Sequence, residues 1–187
     1  IGRLVIDVVE RRLRDAGRSI AMSVNLSPAE LNHPAVAHRL ADAAHRVPAG
    51  SLWVGVKETS VVDDSSAATL NRMRDQGVRA VVEGFGAGPS SLRHLADYPA
   101  DAIAVDRSFV DGLGDDPGDT AIVEAVAQLG GELGLALVAQ GVGDEAQAAR
   151  LTSLGYHYAT GWLFGRPLPW DEFVAAHLTV RADGPVQ

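Results

Sequence analysis

Five polar side chains stand at or just beyond the carboxyl ends of short apolar runs that have the length of buried strands. They are Asn25, Glu58, Glu83, Asp106 and Gln140. In a barrel of parallel strands such positions converge on one mouth. Their oxygens are ligands that Mg²⁺ and Mn²⁺ prefer, and a pair of these cations can activate water against a phosphodiester. Each residue also has a structural alternative, since polar side chains at strand ends cap helices and satisfy turn amides. As a set they predict a pocket.

Two arginines extend this candidate site. Arg107 directly follows Asp106, and Arg166 lies in the run GWLFGRP at 161–167. A guanidinium fork matches phosphate oxygens, so both are candidate contacts to phosphate or guanine. An ion pair at the rim of the barrel is an equal alternative for Arg166. The histidines show no spacing typical of a metal site.

A glycine-rich turn follows the third predicted strand, with the sequence VEGFGAGPSSL at 82–92. Gly86 and Gly88 can let backbone amides approach a phosphate. They can equally supply the positive φ angles of a plain turn. The sequence leaves both interpretations open and favours the turn.

The apolar pattern alternates between helix and strand along the whole chain. Helices are expected over 2–16, 36–46, 63–77, 119–133, 144–154 and 170–177, and strands over 20–26, 52–58, 78–83, 102–106, 135–139 and 157–163. Parallel strands need a long crossover, usually a helix, so this order predicts an α/β fold with a parallel sheet. The spacing matches a (β/α)8 TIM-type barrel of which the chain covers about six strands. We expect residues 1–178 to form this barrel domain, incomplete at its amino-terminal end, and 179–187 to form a polar tail.

The composition limits the classes of function. A chain of 187 residues is most simply one domain with a sizeable core. A net charge of −8 argues against a general DNA binder, which needs a basic face. The absence of cysteine excludes disulfides and thiolate metal sites. No apolar run approaches the roughly 18 residues of a membrane helix, so we expect no membrane insertion and a cytoplasmic location.

Four segments together resemble the EAL domain of bacterial cyclic di-GMP phosphodiesterases. They are NLSP at 25–28, FGAGPSSL at 85–92, DRSFV at 106–110 and GWLFGRPLP at 161–169. The resemblance covers residues 1–178. It implies a modified TIM barrel that hydrolyses cyclic di-GMP to linear pGpG with two divalent cations. It also places the family's Glu-Ala-Leu signature upstream of Asn25, outside this sequence.

The resemblance also exposes departures at positions that bind metal or act in catalysis. Family carboxylates fall on Gly55, Gly84, Gln140 and Gly143, the catalytic lysine on Ala104, a glutamine on Thr160 and a threonine on Lys57. Asn25, Glu83 and Asp106 remain as vestigial ligand positions. Two cations about 3.5–4 Å apart need several anionic ligands, so we expect no bound cofactor, and Mg²⁺ or Mn²⁺ only if residual activity exists. Lys57 is expected on the strand face opposite Glu58, since neighbouring side chains alternate.

These losses favour a degenerate EAL-like regulatory domain that is not an enzyme and that senses cyclic di-GMP or relays its signal. Two alternatives stay open: a protein-interaction adaptor that binds no nucleotide, and a weak metal-dependent phosphodiesterase. The expected ligand contacts are Asn25, Glu58, Glu83, Asp106, Arg107, Gln140 and Arg166. Besides cyclic di-GMP, we expect a protein partner or an attached GGDEF, PAS or receiver domain, and a homodimer.

Overall fold

The computed structural model describes residues 2–16, 20–60, 64–86 and 99–178. Within these ranges one parallel sheet carries the fold, and its six strands follow one another in chain order. The strands are β1 Met22–Leu26, β2 Leu52–Lys57, β3 Arg79–Phe85, β4 Ala102–Val105, β5 Ala136–Gln140 and β6 Tyr158–Thr160. The sheet curls as part of a barrel, which confirms the predicted α/β fold of TIM-barrel type.

Helices connect the strands and cover the outer face of the sheet. They are α1 Gly2–Asp15, α2 Pro28–Leu31, α3 Pro34–Ala44, α4 Asp64–Asp75, α5 Arg107–Asp111, α6 Pro117–Glu132, α7 Glu145–Ser153 and α8 Trp170–Phe173, with 3-10 turns at Glu58–Ser60 and Trp162–Phe164 and a π-helical turn at Val174–Leu178. None of the helices in the described ranges is long and apolar enough to cross a membrane.

Two apolar clusters fill the space between the sheet and the helices. One joins α1, α3 and α4 to the first three strands, around Leu40, Val54 and Leu70. The other joins α6 and α7 to the later strands, around Ile103 and Leu137. Both faces of a parallel sheet in an α/β fold are covered, which explains why these strands read as nearly continuous apolar runs.

The inner face of the curled sheet is lined mainly by small side chains. Val81, Ala102 and Ala104 form its buried centre, and Trp53 and Val138 pack against them. Since this face carries little bulk, the polar side chains at the strand ends have room to turn toward one another.

A β-bulge in β3 separates the inner and outer faces near the strand end. Val82 pairs with Ile103 and Phe85 with Val105, so two residues of β3 face one residue of β4. Gly84 takes φ +71° in the bulge, a conformation that favours glycine. The extra residue lets Phe85 enter the outer core while Glu83 stays on the inner face.

The structure corrects several predicted boundaries. The strand expected over 157–163 ends at Thr160, because the chain turns into a 3-10 helix. The helix expected from residue 119 begins at Pro117, where Asp116 caps it by accepting hydrogen bonds from Gly118 and Asp119. The short helices α2 and α5 were not predicted. The second half of the glycine-rich loop and the expected tail at 179–187 lie outside the described residues.

Candidate functional site

The side chains of Asn25 on β1 and Glu83 on β3 approach each other above β2, the strand between them. Asn25 is the register partner of Gly55, and Glu83 lies on the next strand. A Cβ atom added at Gly55 would overlap Asn25 Oδ1 and lie 2.7 Å from Glu83 Oε1. Both oxygens therefore converge on the space that the missing side chain leaves.

A cavity of about 280 Å³ opens at the carboxyl ends of the strands. It is lined by Lys57, Glu58, Thr59, Glu83, Gly84, Asp106 and Gln140. Four of the seven predicted ligand contacts thus line one space, at the end of the sheet where α/β barrels hold their chemistry. Asn25 Oδ1 lies beside the same region, near Glu83 Oε1 and above Gly55.

The surroundings of Glu83 change the ionisation of its side chain. Burial raises the pKa of Glu83, and the nearby positive charge of Lys57 partly opposes that rise. A carboxylate that has lost water but gained no hydrogen-bond donor is ready to accept a cation. The inner face therefore places the partly desolvated carboxylate of Glu83 where a cation entering the cavity can bind it.

The two carboxylate oxygens of Asp106 have different surroundings: one caps a helix and the other faces the cavity. Oδ1 caps α5 by accepting from the Ser108 backbone N–H at 2.9 Å and from Ser108 Oγ at 2.8 Å. Oδ2 faces Gly84, 3.7 Å from where a Cβ would stand. The helix-cap alternative therefore holds for Asp106, and one oxygen remains directed at the cavity.

Arg107 and Arg166 lie apart from these carboxylates. Both line a neighbouring cavity of about 540 Å³ between β6 and the last helical turn. Arg107 Nε donates to Asp111 at 3.1 Å, an ion pair within α5. The guanidinium of Arg166 stacks 4.9 Å from the centre of the Trp162 ring. The structure thus does not bring the two arginines into one cavity with Glu83.

Sequence reasoning missed Lys57 as part of the site. The expectation that Lys57 and Glu58 occupy opposite faces stays a prediction, and both residues line the same cavity. The strand ends at Lys57 and Glu58 begins a 3-10 turn, so the alternation of a strand no longer applies. Glu58 is 3% exposed. The signal that could have found Lys57 is its position as the last strand residue, level with Glu83 on β3.

The donor set fits one divalent cation. Asn25 Oδ1 and Glu83 Oε1 converge, and Asp106 adds a carboxylate oxygen at the same mouth, which is the oxygen chemistry that Mg²⁺ and Mn²⁺ prefer. In the described ranges, no group of three or more His, Cys, Asp or Glu side chains gathers closely enough to hold a metal ion. Two carboxylates and one amide, Glu83, Asp106 and Asn25, are thus the described side chains that would hold a cation at this mouth, with water completing its shell.

Comparison with known proteins identifies the family. The sequence model of the EAL domain matches residues 1–167. The chain belongs to the EAL domain family. This EAL domain is 33% identical over 168 residues to the cyclic di-GMP phosphodiesterase RocR of Pseudomonas aeruginosa, covering 88% of this chain and 43% of RocR. It is 35% identical over 184 residues to MucR of the same species, a bifunctional diguanylate cyclase and cyclic di-GMP phosphodiesterase, covering 94% of this chain and 27% of MucR.

Solved EAL structures share the fold. The PaMucR phosphodiesterase in complex with c-di-GMP superposes with a TM-score of 0.85 at 34% identity, over 92% of this chain and 73% of that one. Klebsiella pneumoniae BlrP1 with manganese and c-di-GMP gives a TM-score of 0.76 at 28% identity, over 89% of this chain and 45% of BlrP1. This EAL domain spans less than half the length of RocR and MucR.

These relatives correct one expectation and revise another. The expectation that the chain is not an enzyme is wrong, because relatives that it matches over most of its length are phosphodiesterases. The expectation of no cofactor is not confirmed, since BlrP1 was solved with manganese. Loss of carboxylates at Gly55 and Gln140 therefore does not establish an inactive domain.

Proposed function

We propose that this EAL domain binds cyclic di-GMP at the carboxyl ends of its strands and hydrolyses it slowly to linear pGpG with a divalent cation. The convergence of Asn25 Oδ1 and Glu83 Oε1 at the mouth cavity carries this proposal. Relatives named as phosphodiesterases of cyclic di-GMP support the choice of substrate.

Each side chain at the mouth has a defined task in this proposal. Asn25 and Glu83 hold the cation, and Asp106 directs Oδ2 toward the cavity. When bound, the cation polarises the phosphodiester and lowers the pKa of water. The oxygen of a water molecule bonds to phosphorus, the P–O3′ bond breaks, and one proton of that water ends on the released 3′ oxygen. Asp106 Oδ2, which the helix cap leaves available, would add a third oxygen to the ligands of the cation.

The same residues account for a low rate. Gln140 and Gly55 bring no negative charge to the mouth, so the cation is held by fewer anions. Ala104 offers a buried methyl group where the family resemblance places a lysine. Fewer charged groups prearranged around the reacting phosphate mean less stabilisation of the transition state.

Turnover of cyclic di-GMP tests the proposal directly. The purified protein is incubated with the nucleotide and Mn²⁺ or Mg²⁺, and pGpG is separated by liquid chromatography. We expect slow, protein-dependent pGpG formation that stops with a chelator and is lost in Glu83→Gln. Glu132→Gln, an exposed change on α6, is the matched control and keeps the activity. Nucleotide that stays intact through many hours with Mn²⁺ would contradict the assignment.

The expected contacts of Arg107 and Arg166 with the nucleotide remain part of this proposal. Their cavity adjoins β5 and β6, so a nucleotide at the mouth can reach it with one base. Arg166 over the Trp162 ring presents a flat cationic surface on which a guanine can stack. Nucleotide affinity measured for Arg166→Ala, compared with Arg150→Ala on the outer helix α7, tests this contact.

A homodimer, an attached signalling domain and a protein partner also remain proposals. The two outer strands of the described sheet, β1 and β6, each pair on one side. Unpaired strand edges are surfaces that another chain or segment covers. Sedimentation equilibrium of the purified protein, with and without nucleotide, tests the dimer.

A further inference from the structure

Lys57 holds a distinctive position in this molecule. It is the one lysine in the 187-residue sequence, and it ends β2 level with Glu83 of β3. Its side chain is exposed and lines the mouth cavity. An exposed lysine normally faces bulk solvent on the outside of a fold, whereas this one stands among carboxylates at the mouth of the sheet.

The other cations near the mouth are engaged elsewhere. Arg107 pairs with Asp111, and Arg166 stacks on Trp162 in the neighbouring cavity. Among the described residues that line the mouth cavity, Lys57 is the sole cation. Within those same ranges, no carboxylate lies within ion-pair distance of its ammonium group, although its charge acts on Glu83. The ammonium therefore retains donors for an incoming anion.

The charges at the mouth leave a definite role for this ammonium. Glu83 and Asp106 bring two negative charges to the lining, which one divalent cation would balance. A phosphodiester entering the cavity then needs another positive charge to offset its own, and Lys57 is placed to supply it.

We propose that Lys57 binds a nonbridging oxygen of the substrate phosphodiester and does the work of a second cation in this EAL domain. This inference rests on the proposed function and deepens it. The ammonium serves as a point charge with three donors, a form of phosphate binding that lysine provides in other sites. Ala104, on the far side of β3, makes room on the inner face for the substrate to approach from β2.

Nucleotide binding without metal isolates this role from catalysis. Cyclic di-GMP is titrated calorimetrically into the chelator-treated protein, its Lys57→Met and Lys57→Arg variants, and Arg11→Met. Arg11 is exposed on α1, so its variant matches the charge change away from the mouth. We expect Lys57→Met to weaken binding at least about tenfold, as for loss of a charged hydrogen bond. Lys57→Arg stays within about threefold, because a point charge is what the phosphate needs. Arg11→Met binds like the parent protein.

Labelling provides a second measurement that does not depend on a variant folding. An amine-reactive reagent is applied with and without saturating cyclic di-GMP, and peptide mass spectrometry follows modification at Lys57. We expect nucleotide to slow labelling of Lys57 several-fold. Equal labelling rates, or equal affinity of the parent and Lys57→Met, would overturn the role of Lys57 while leaving the proposed function standing. No nucleotide binding by the parent protein, with or without Mn²⁺, would overturn both.

Discussion

Asn25 Oδ1 and Glu83 Oε1 both occupy the space that a side chain at Gly55 would fill. The two residues lie on β1 and β3, and the strand between them contributes only backbone at this level. The loss of a side chain from β2 is thus what allows an amide oxygen and a carboxylate oxygen to converge. A position that the family resemblance marks as a lost ligand has become the space in which two retained ligands meet.

Gly55→Ala is expected to weaken cation binding without unfolding the domain. The new methyl group displaces the ends of two flexible side chains, so the backbone stays in place while both oxygens move apart. We expect Mn²⁺ affinity, measured by calorimetry, to fall about tenfold or more. Gly131→Ala on α6 is the control, since its added Cβ meets nothing within 4 Å. Unchanged affinity in Gly55→Ala would show that the two oxygens do not share a cation.

Glu83→Gln is expected to stabilise the metal-free protein. Burial raises the pKa of Glu83 in the folded state, with Lys57 opposing. A pKa that is raised in the folded state means that the folded protein prefers the protonated form of Glu83. The contribution of Glu83 to the free energy of unfolding is therefore complete below the unfolded pKa of 4.5 and is lost as pH rises through the folded pKa. Glutamine removes that loss. Urea denaturation should show the variant more stable than the parent at pH 8, with a smaller difference at pH 4. A Glu83→Gln variant less stable than the parent at pH 8 would show that burying the charged Glu83 side chain does not destabilise the folded protein.

Asp101→Asn is expected to have the opposite pH dependence, at the other end of the sheet. Burial acts to raise the pKa of Asp101, but hydrogen bonds from Arg74, the Ala80 N–H and Arg79 hold it below 3.8. Its stability contribution is therefore present above the unfolded pKa and lost as pH falls through the folded value. We expect a loss of about 2 kcal/mol at pH 7, as for hydrogen bonds to a charged group. The loss should shrink near pH 3 in urea denaturation.

An exposed acid serves as the contrast for Asp101. Asp111 pairs with Arg107, and both side chains are about half exposed. Asp111→Asn should cost less than about 1 kcal/mol at pH 7, since exposed ion pairs contribute little. Similar losses in the two variants would show that the burial of Asp101 does not set its contribution.

Much of the fold was predictable because apolar patterns report burial. Val54 and Ile103 lie in continuous apolar runs, and both are fully buried. Strands of a parallel sheet that is covered on both faces need apolar side chains at nearly every position, so the run itself indicates a buried strand. The short helix α5 was missed because five residues give no helical periodicity. Its cap is visible in the sequence as Asp106 two residues before Ser108, but such a pair is equally typical of a turn.

The sequence predicted which residues line the candidate site, but it did not predict how their side chains are arranged. Strand-end positions identified Glu58, Glu83, Asp106 and Gln140, since the carboxyl ends of parallel strands meet at one edge. The sequence did not separate Arg107 from them, because the direction of a long side chain depends on a local partner, here Asp111. Lys57 was not predicted as a site residue, although it ends β2 level with Glu83.

Gln140→Glu is expected to strengthen cation binding at the mouth. Gln140 lines the same cavity as Glu83 and Asp106, so a carboxylate there adds a negative charge and two oxygens with little change in side-chain volume. At partly buried separations of a few ångströms one added charge is worth about 1–4 kcal/mol, so Mn²⁺ should bind at least about tenfold more tightly. Gln128→Glu, exposed on α6, carries the same change in charge and should leave the affinity unaltered. The parent protein should bind one Mn²⁺ per chain, counted by equilibrium dialysis with elemental analysis. Two Mn²⁺ ions per parent chain would contradict a mouth that holds a single cation. A Gln140→Glu variant that binds Mn²⁺ no more tightly than Gln128→Glu would contradict the claim that the number of anionic ligands limits cation binding.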